Sequence, residues 1–342
     1  MNKMLNDPFT DLPIKSDFSG SALVIRQDDI LFDHQQGYAN RAERIEHRMS
    51  TRFGIASGCK LFTAIAVCQL IEQGKLAFTS TLRECLAIDF PRFDPGVTVE
   101  QLLTHTSGIP DYFDESVMDD FEELWRQRPM YHIRQLRDFL PMFQHEPMRQ
   151  EHGVFQYNNA GYILLGLIVE QASGLSFSDY IEQFVFKPAD MTDSGYFSLD
   201  ALPANTALGY IDNPDGSWRT NHYSIPVKGG SDGGAFVTAQ DMAKLWSTLL
   251  DHRLFGEAMT SRLLTPHVKV NDKGVHYGYG LWIQLDANRH VFKYHVMGYD
   301  PGVSFHSAYY PATDIVSVVC SNESDGAFDL MKVIEQKAGV SS

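Results

Sequence analysis

The sequence predicts an α/β (α+β) fold, with an antiparallel sheet built from both chain ends, helices flanking it, and a mainly helical subdomain inserted between the ends. Three observations carry this expectation. Near the N-terminus, Ser21–Arg26 and Ile30–His34 read as two strands around the turn Gln27-Asp28-Asp29. Near the C-terminus, Val303–Tyr310 and Ile315–Cys320 do the same around Pro311-Ala312-Thr313-Asp314. The middle of the chain carries helical periodicity instead. With 342 residues and 44% hydrophobic content the chain can bury a large core, and no internal repeat or low-complexity linker divides it. It reads as one domain over 1–342, with a sheet subdomain at about 17–56 and 226–342 and a helical subdomain at about 57–225.

Taken in order, a helix is expected from about Lys60 to Gln73, stopping at Gly74. The acidic stretch Asp111–Glu123 reads as a solvated helical face. A second helix spans about Asn159–Ala172, with Leu164, Leu165, Ile168 and Val169 apolar and Gly174 as its stop. Ser176 or Ser178 caps a third, which ends before Pro188; a fourth starts near Thr238 and continues through Met242–Trp246. A final amphipathic helix runs from about Ala327 to Lys337.

Charge excludes some classes of partner. Lys plus Arg is 28 against 43 Asp plus Glu, a net charge of −15, which argues against nucleic acid and anionic membrane surfaces. No apolar run has the length of a membrane span, and Met-Asn-Lys-Met-Leu-Asn-Asp-Pro-Phe at the N-terminus has no apolar signal core. Cys59, Cys68, Cys85 and Cys320 lack metal-ligand spacing and read as free thiols, so a cytoplasmic location is the expectation. The 13 histidines are scattered, with no His-Glu-x-x-His and no pair one helical turn apart, so no metal is expected.

Ser57-Gly58-Cys59-Lys60 opens the first long helix. A serine hydroxyl must lose its proton to become a useful nucleophile. Residues three apart on a helix share a face, so Lys60 reaches the Ser57 oxygen. The helix N-terminus and the apolar neighbours Leu61, Phe62 and Ile65 both disfavour a charged ammonium there, and a neutral amine beside a hydroxyl accepts its proton. Tyr157-Asn158-Asn159 precedes the second long helix. Tyr157 can exchange a proton, and Asn159 can donate to a substrate carbonyl while accepting from Lys60. The plainer reading of this triplet is an aromatic residue followed by an N-cap.

Together these stretches resemble the serine β-lactamase and penicillin-binding-protein-like hydrolases, in the branch of class C β-lactamases, D-Ala-D-Ala carboxypeptidases and esterases. The resemblance also rests on Leu102–Pro110, on Gly229–Gly234 leading into Thr238–Ala243, on Tyr277–Trp282 and on Asp300-Pro301-Gly302. It implies a β-lactamase/transpeptidase-like fold and a serine hydrolase that works through an acyl-enzyme on an ester or amide bond, without metal or cofactor. Ser57 would be the nucleophile, Lys60 its proton partner, and Tyr157 the shuttle to the leaving group and to the deacylating water. Asn159 would orient the substrate. The backbone N–H groups of Ser57 and of Tyr299, after Gly298, would form the oxyanion hole.

One motif departs from that pattern. The family's Lys-Thr-Gly, or His-Thr-Gly, aligns with Val296-Met297-Gly298, and His295 lies one residue early. A one-residue shift on a strand points a side chain to the other face, unless a bulge brings it back. Without a cation to meet a carboxylate, the candidates to replace it are His295, Lys293 and Lys228; otherwise the substrate is a neutral ester, amide or short peptide. The alternative function is a catalytically weak homologue that binds a peptide or acyl ligand as a sensor or regulator. His105 reads as a structural residue of its loop, Ser231-Asp232-Gly233 as a glycine-rich turn, and Cys59 as packing. Trp282 and Tyr299 read equally as groove or core.

Overall fold

Both chain ends meet in one eight-stranded antiparallel sheet. The computed structural model describes residue 9, residues 12–27 and residues 29–338; Asp28 of the first turn and most of the N-terminal stretch read above lie outside the described residues. The strands are β1 (Gly20–Arg26), β2 (Asp29–Gln36), β3 (Val268–Lys269), β4 (Val275–Tyr277), β5 (Trp282–Leu285), β6 (Val291–Asp300), β7 (Val303–Tyr310) and β8 (Ile315–Ser321). Their order across the sheet is β2-β1-β8-β7-β6-β5-β4-β3, so the first hairpin closes onto the last strand. Gly20 pairs with Ser321 and Arg26 with Ile315, which sets β1 beside β8 along its whole length.

The pleat sends alternate residues to two cores. Ala22 and Val24 face a cluster with Val319, Leu330, Met331 and Ile334, whereas Leu23, Val318 and Cys320 face the main core. Four long helices complete the layers: α1 (Lys60–Glu72), α2 (Asn159–Ser173), α3 (Ala239–Leu250) and α4 (Ala327–Lys337). α4 covers β7 and β8 on one face, and α3 packs on β1 and β8 from the other, where Trp246 Nε1 donates to Ser307 Oγ at 2.8 Å. α1 is apolar all round, and eleven of its thirteen residues are buried, as expected of a helix enclosed by others. α2 ends at Gly174, whose φ of +75° reverses the chain without a Cβ clash. Among the described residues no single helix is long and apolar enough to cross a membrane.

Most expected elements fall where the periodicity placed them, and Ser176 and Thr238 cap their helices through Asp179 N and Asp241 N. The acidic stretch is a correction. Between Asp111 and Glu122 the chain makes turns and bends, and only Glu123–Gln127 is helical. Asp114 is buried and Asp111 accepts at the start of α2, whereas Glu115, Asp119, Asp120 and Glu123 are exposed, so the stretch is solvated in part but is not a helical face.

Candidate active site

The strand-like pair Phe53–Gly54 and Phe236–Val237 leads into a sharp turn. Ala56 adopts φ +43°, a conformation that costs a β-carbon residue on the order of 1 kcal/mol. A single 3₁₀ turn over Ala56–Cys59 follows, and α1 continues from it. The turn presents Ser57 at the floor of a cavity of about 740 Å³, also lined by Tyr157, Asn159, Asp232, Trp282 and Gly298. Lys60, one turn on, is 1% exposed. Its Nζ donates to Ser57 Oγ at 2.9 Å, to Asn159 Oδ1 at 2.8 Å and to the Asp232 carbonyl at 2.7 Å. Three acceptors thus meet the three hydrogens that a lysine ammonium carries.

Tyr157 approaches the same serine from the opposite side. Its hydroxyl is hydrogen-bonded to Ser57, and Lys60 Nζ lies 4.9 Å from its ring centroid. Burial first, and the nearby Glu115 charge second, push its phenol well above the usual range, so Tyr157 holds its proton. Trp282 stacks on the ring at 5.8 Å with 16° between planes, and His105 lies against it at 4.5 Å. His105 is structural: its Nδ1 accepts from Asn158 N at 3.0 Å, and burial holds its ring well below the ordinary histidine range, hence neutral.

Asn159 is fixed by the start of α2. Asn158 caps the helix, its Oδ1 accepting from Gly161 N at 2.7 Å. Asp111 accepts from Asn159 N at 2.8 Å and Ala160 N at 2.9 Å, a carboxylate at the positive end of the helix, and Asn159 Nδ2 reaches it at 3.3 Å. Burial nevertheless raises Asp111 to about 7.

β6 closes the other wall. A Cβ on Gly298 would lie 2.1 Å from the Ile55 carbonyl oxygen and 2.7 Å from Ser57 N, so only glycine lets this strand rest against the Ser57 turn. Tyr299 follows it, 44% exposed at the cleft. Val296 is core and Met297 lines the cleft.

His295 is not in the cleft. It lies on the face of β6 opposite Val296 and Gly298, 8% exposed, stacked on His306 with ring centroids 5.3 Å apart, because the pleat alternates and no bulge interrupts β6 against β7 between Tyr294 and Asp300. Lys293 is likewise turned away, paired with Glu335 at 2.6 Å, and Lys228 is not among the cavity-lining residues. None of the three replaces a carboxylate-binding cation.

Three groups escaped the sequence reading. Asp232 is buried, binds Lys60 through its carbonyl, and accepts from the Tyr112 hydroxyl through its carboxylate. Asp111 was likewise hidden in a stretch read as surface, and Asp300 stood in Asp300-Pro301-Gly302, a stretch that carried the resemblance without a role for its carboxylate. The one available signal was Asp232 itself, a carboxylate among four glycines in Gly229–Gly234.

A β-lactamase family model matches residues 13–339. A penicillin-binding protein from Bacillus halodurans is 58% identical, with a TM-score of 0.90 over 94% of this chain and 97% of that one. Penicillin-binding protein 4* of Bacillus subtilis is 29% identical over 318 residues, covering 88% of this chain and 67% of its own length. The octameric penicillin-binding protein homologue of Pyrococcus abyssi superposes with a TM-score of 0.82 at 26% identity, over 95% of this chain and 74% of that one. The chain belongs to the β-lactamase family.

Proposed function

We propose that this protein is a serine hydrolase that cleaves an ester or amide bond through an acyl-enzyme on Ser57. The observation that carries the reading is the convergence of Lys60 Nζ, 2.9 Å from Ser57 Oγ, with Tyr157 and Asn159 at the floor of one cavity. In the form of the site that reacts, Lys60 is a neutral amine whose two hydrogens stay on Asn159 Oδ1 and the Asp232 carbonyl, and Ser57 attacks the carbonyl carbon as its proton passes to the Nζ lone pair. The oxyanion is met by the backbone N–H groups of Ser57 and Tyr299, a pair of donors each worth about 3 kcal/mol of transition-state stabilisation. Tyr157, a neutral phenol in the resting site, gives its proton to the leaving group and is reprotonated from Lys60. Water then attacks the acyl-enzyme with Tyr157 and Lys60 in the reverse roles.

The substrate arm beside Met297 is the second part of the proposal. Val296 and Met297 offer no charge and no hydroxyl, and the nearby cations are turned away or paired. This supports a neutral ester or amide there rather than a free carboxylate. The test is turnover of a D-alanyl-D-alanine peptide against its C-terminal methyl ester and amide, in wild type and Ser57→Ala. The ester or amide is expected to turn over faster in the wild type alone. Preference for the free carboxylate would contradict the second part, and equal turnover in Ser57→Ala the first.

A further inference from the structure

The acids of the cleft exceed what the machinery above uses. Glu115, Asp119, Asp120, Glu122, Asp232 and Asp300 line the cavity, against one arginine, Arg219. Arg219 is committed: it donates to Glu122 at 2.6 Å and to Ser224 Oγ at 2.9 Å. Lys60 has all its hydrogens placed on Ser57, Asn159 and Asp232. Asp232 has its Tyr112 partner, and Asp120 caps the Glu122 N–H.

Asp300 is different. Among the described residues no hydrogen bond or ion pair engages its carboxylate. It ends β6, one residue beyond Tyr299, and lines the same cavity as Ser57. The groups that act on it are the carboxylates of Asp232 and Glu115, and Lys60 in the opposite sense. Its turn to Val303 does not need the charge, since the carboxylate bonds to nothing in it.

Position on the strand gives the carboxylate a meaning. Residues on a strand advance about 3.4 Å each. Met297 and Asp300 therefore lie on opposite sides of Gly298 and Tyr299, roughly 10 Å apart along β6. Gly298 rests against Ser57 N, so a carbonyl held at Ser57 would have Met297 toward one end of β6 and Asp300 toward the other, on alternate faces of the pleat. One arm thus meets an apolar, uncharged wall, and the other meets an unpaired carboxyl group.

We propose that Asp300 is the specificity-determining carboxylate of the cleft, receiving an ammonium group on the substrate arm opposite Met297. The proposal rests on the hydrolase reading above and adds the substrate class: amino-acyl or amine-bearing esters and amides. In the unliganded protein Asp300 holds its proton at pH 7; an ammonium placed beside it favours the ionised form, the proton leaving to solvent, and the hydrogen bond then made is of the strong, charge-assisted kind. Burial, then repulsion from Asp232, raises Asp300 to about 8, as expected of a cleft carboxyl group that has no partner of its own.

Two isosteric pairs of methyl esters test it: β-alanine against butyrate, and D-alanine against isobutyrate. kcat/KM is read by methanol release at pH 7 in wild type and Asp300→Asn, with fluorophosphonate labelling of Ser57 recorded for both. The expected result is that at least one ammonium ester exceeds its neutral twin tenfold or more in the wild type, and that this ratio falls at least fivefold in the variant. Asp300→Ser takes its place if the asparagine protein does not label. A wild type that labels but shows no preference in either pair overturns the inference alone, as does a variant that keeps the preference. A wild type in which Ser57 does not label removes the hydrolase reading and the inference with it.

Discussion

Gly298→Ala tests how the sheet and the Ser57 turn are fitted together. The new methyl group would sit 2.1 Å from the Ile55 carbonyl oxygen, 2.7 Å from Ser57 N and 2.8 Å from Gly58 N. Ordinary contacts begin near 3.4 Å, so the shortfall is about 1.3 Å, and all three obstacles are backbone. No rotamer change relieves it; β6 and the Ala56–Cys59 turn must part by about 1 Å. Overpacking of this kind costs about 1–3 kcal/mol of stability. On the proposed mechanism the catalytic cost is larger, because the parting separates the Ser57 and Tyr299 N–H groups assigned to the oxyanion hole. Misplacement by about 1 Å is worth roughly 100-fold, and loss of one donor about 100- to 1,000-fold. The expected outcome is a fall in kcat/KM of about 100-fold on a 4-nitrophenyl ester, with slowed fluorophosphonate labelling and a lower thermal midpoint. A variant that keeps more than half its activity at an unchanged midpoint refutes the argument that β6 must touch the turn.

Other expectations follow from the same contacts. Asp111→Ala removes the acceptor of Asn159 N and Ala160 N and is expected to cost about 1–2 kcal/mol in urea denaturation, with a lower kcat as Asn159 loses its anchor; an unchanged kcat would contradict that anchoring. His47 and His306 are held down to about 4 and about 3 by burial, so their contribution is complete above the unfolded value of 6.5 and is lost as pH falls toward 4. Each such ring costs about 1.4 kcal/mol per pH unit in that window. His306→Phe, which replaces a ring with both nitrogens unpartnered, should lose less stability than wild type between pH 7 and pH 5; an equal loss contradicts the assignment. Asp300 works in the other sense: its folded value of about 8 stands above the unfolded 3.8, so its proton is retained on folding and stability declines as pH rises between the two. Asp300→Asn should therefore gain on wild type in thermal midpoint from pH 5 to pH 7.5, and a gap that stays constant rules out the raised value.

The sequence carried the parts of the fold that repeat a period over enough residues. Val303–Tyr310 and Ile315–Ser321 announce themselves by β-branched and aromatic content, and α2 by its apolar run between Asn158 and Gly174. The edge strands Val268–Lys269 and Val275–Tyr277 are too short to show alternation and owe their place to their neighbours. At the site, Ser57 and Lys60 were legible because one helical turn joins them, and Tyr157 and Asn159 because they precede a capped helix. What stayed hidden depends on tertiary contact. The acidic run from Asp111 reads as solvated surface, and in part it is, yet Asp111 is drawn inward by a helix start while Glu115, Asp119, Asp120 and Glu122 line the cleft. Likewise Asp232 sits among glycines, and only the fold reveals that its carbonyl holds Lys60. His295 shows the reverse: the pleat rule placed it on the far face, and the unbroken register of β6 with β7 keeps it there.

The central claim is that Ser57 is an activated nucleophile in a cleft without a carboxylate-binding cation. Intact-mass measurement after incubation with a fluorophosphonate and, separately, with a penicillin tests both halves on wild type and Ser57→Ala. The account predicts one phosphonate adduct on the wild type, none on Ser57→Ala, and no stable penicillin adduct on either. A phosphonate adduct that survives Ser57→Ala, or no adduct on the wild type, would contradict the nucleophile, and a stable penicillin adduct would contradict the uncharged arm beside Met297.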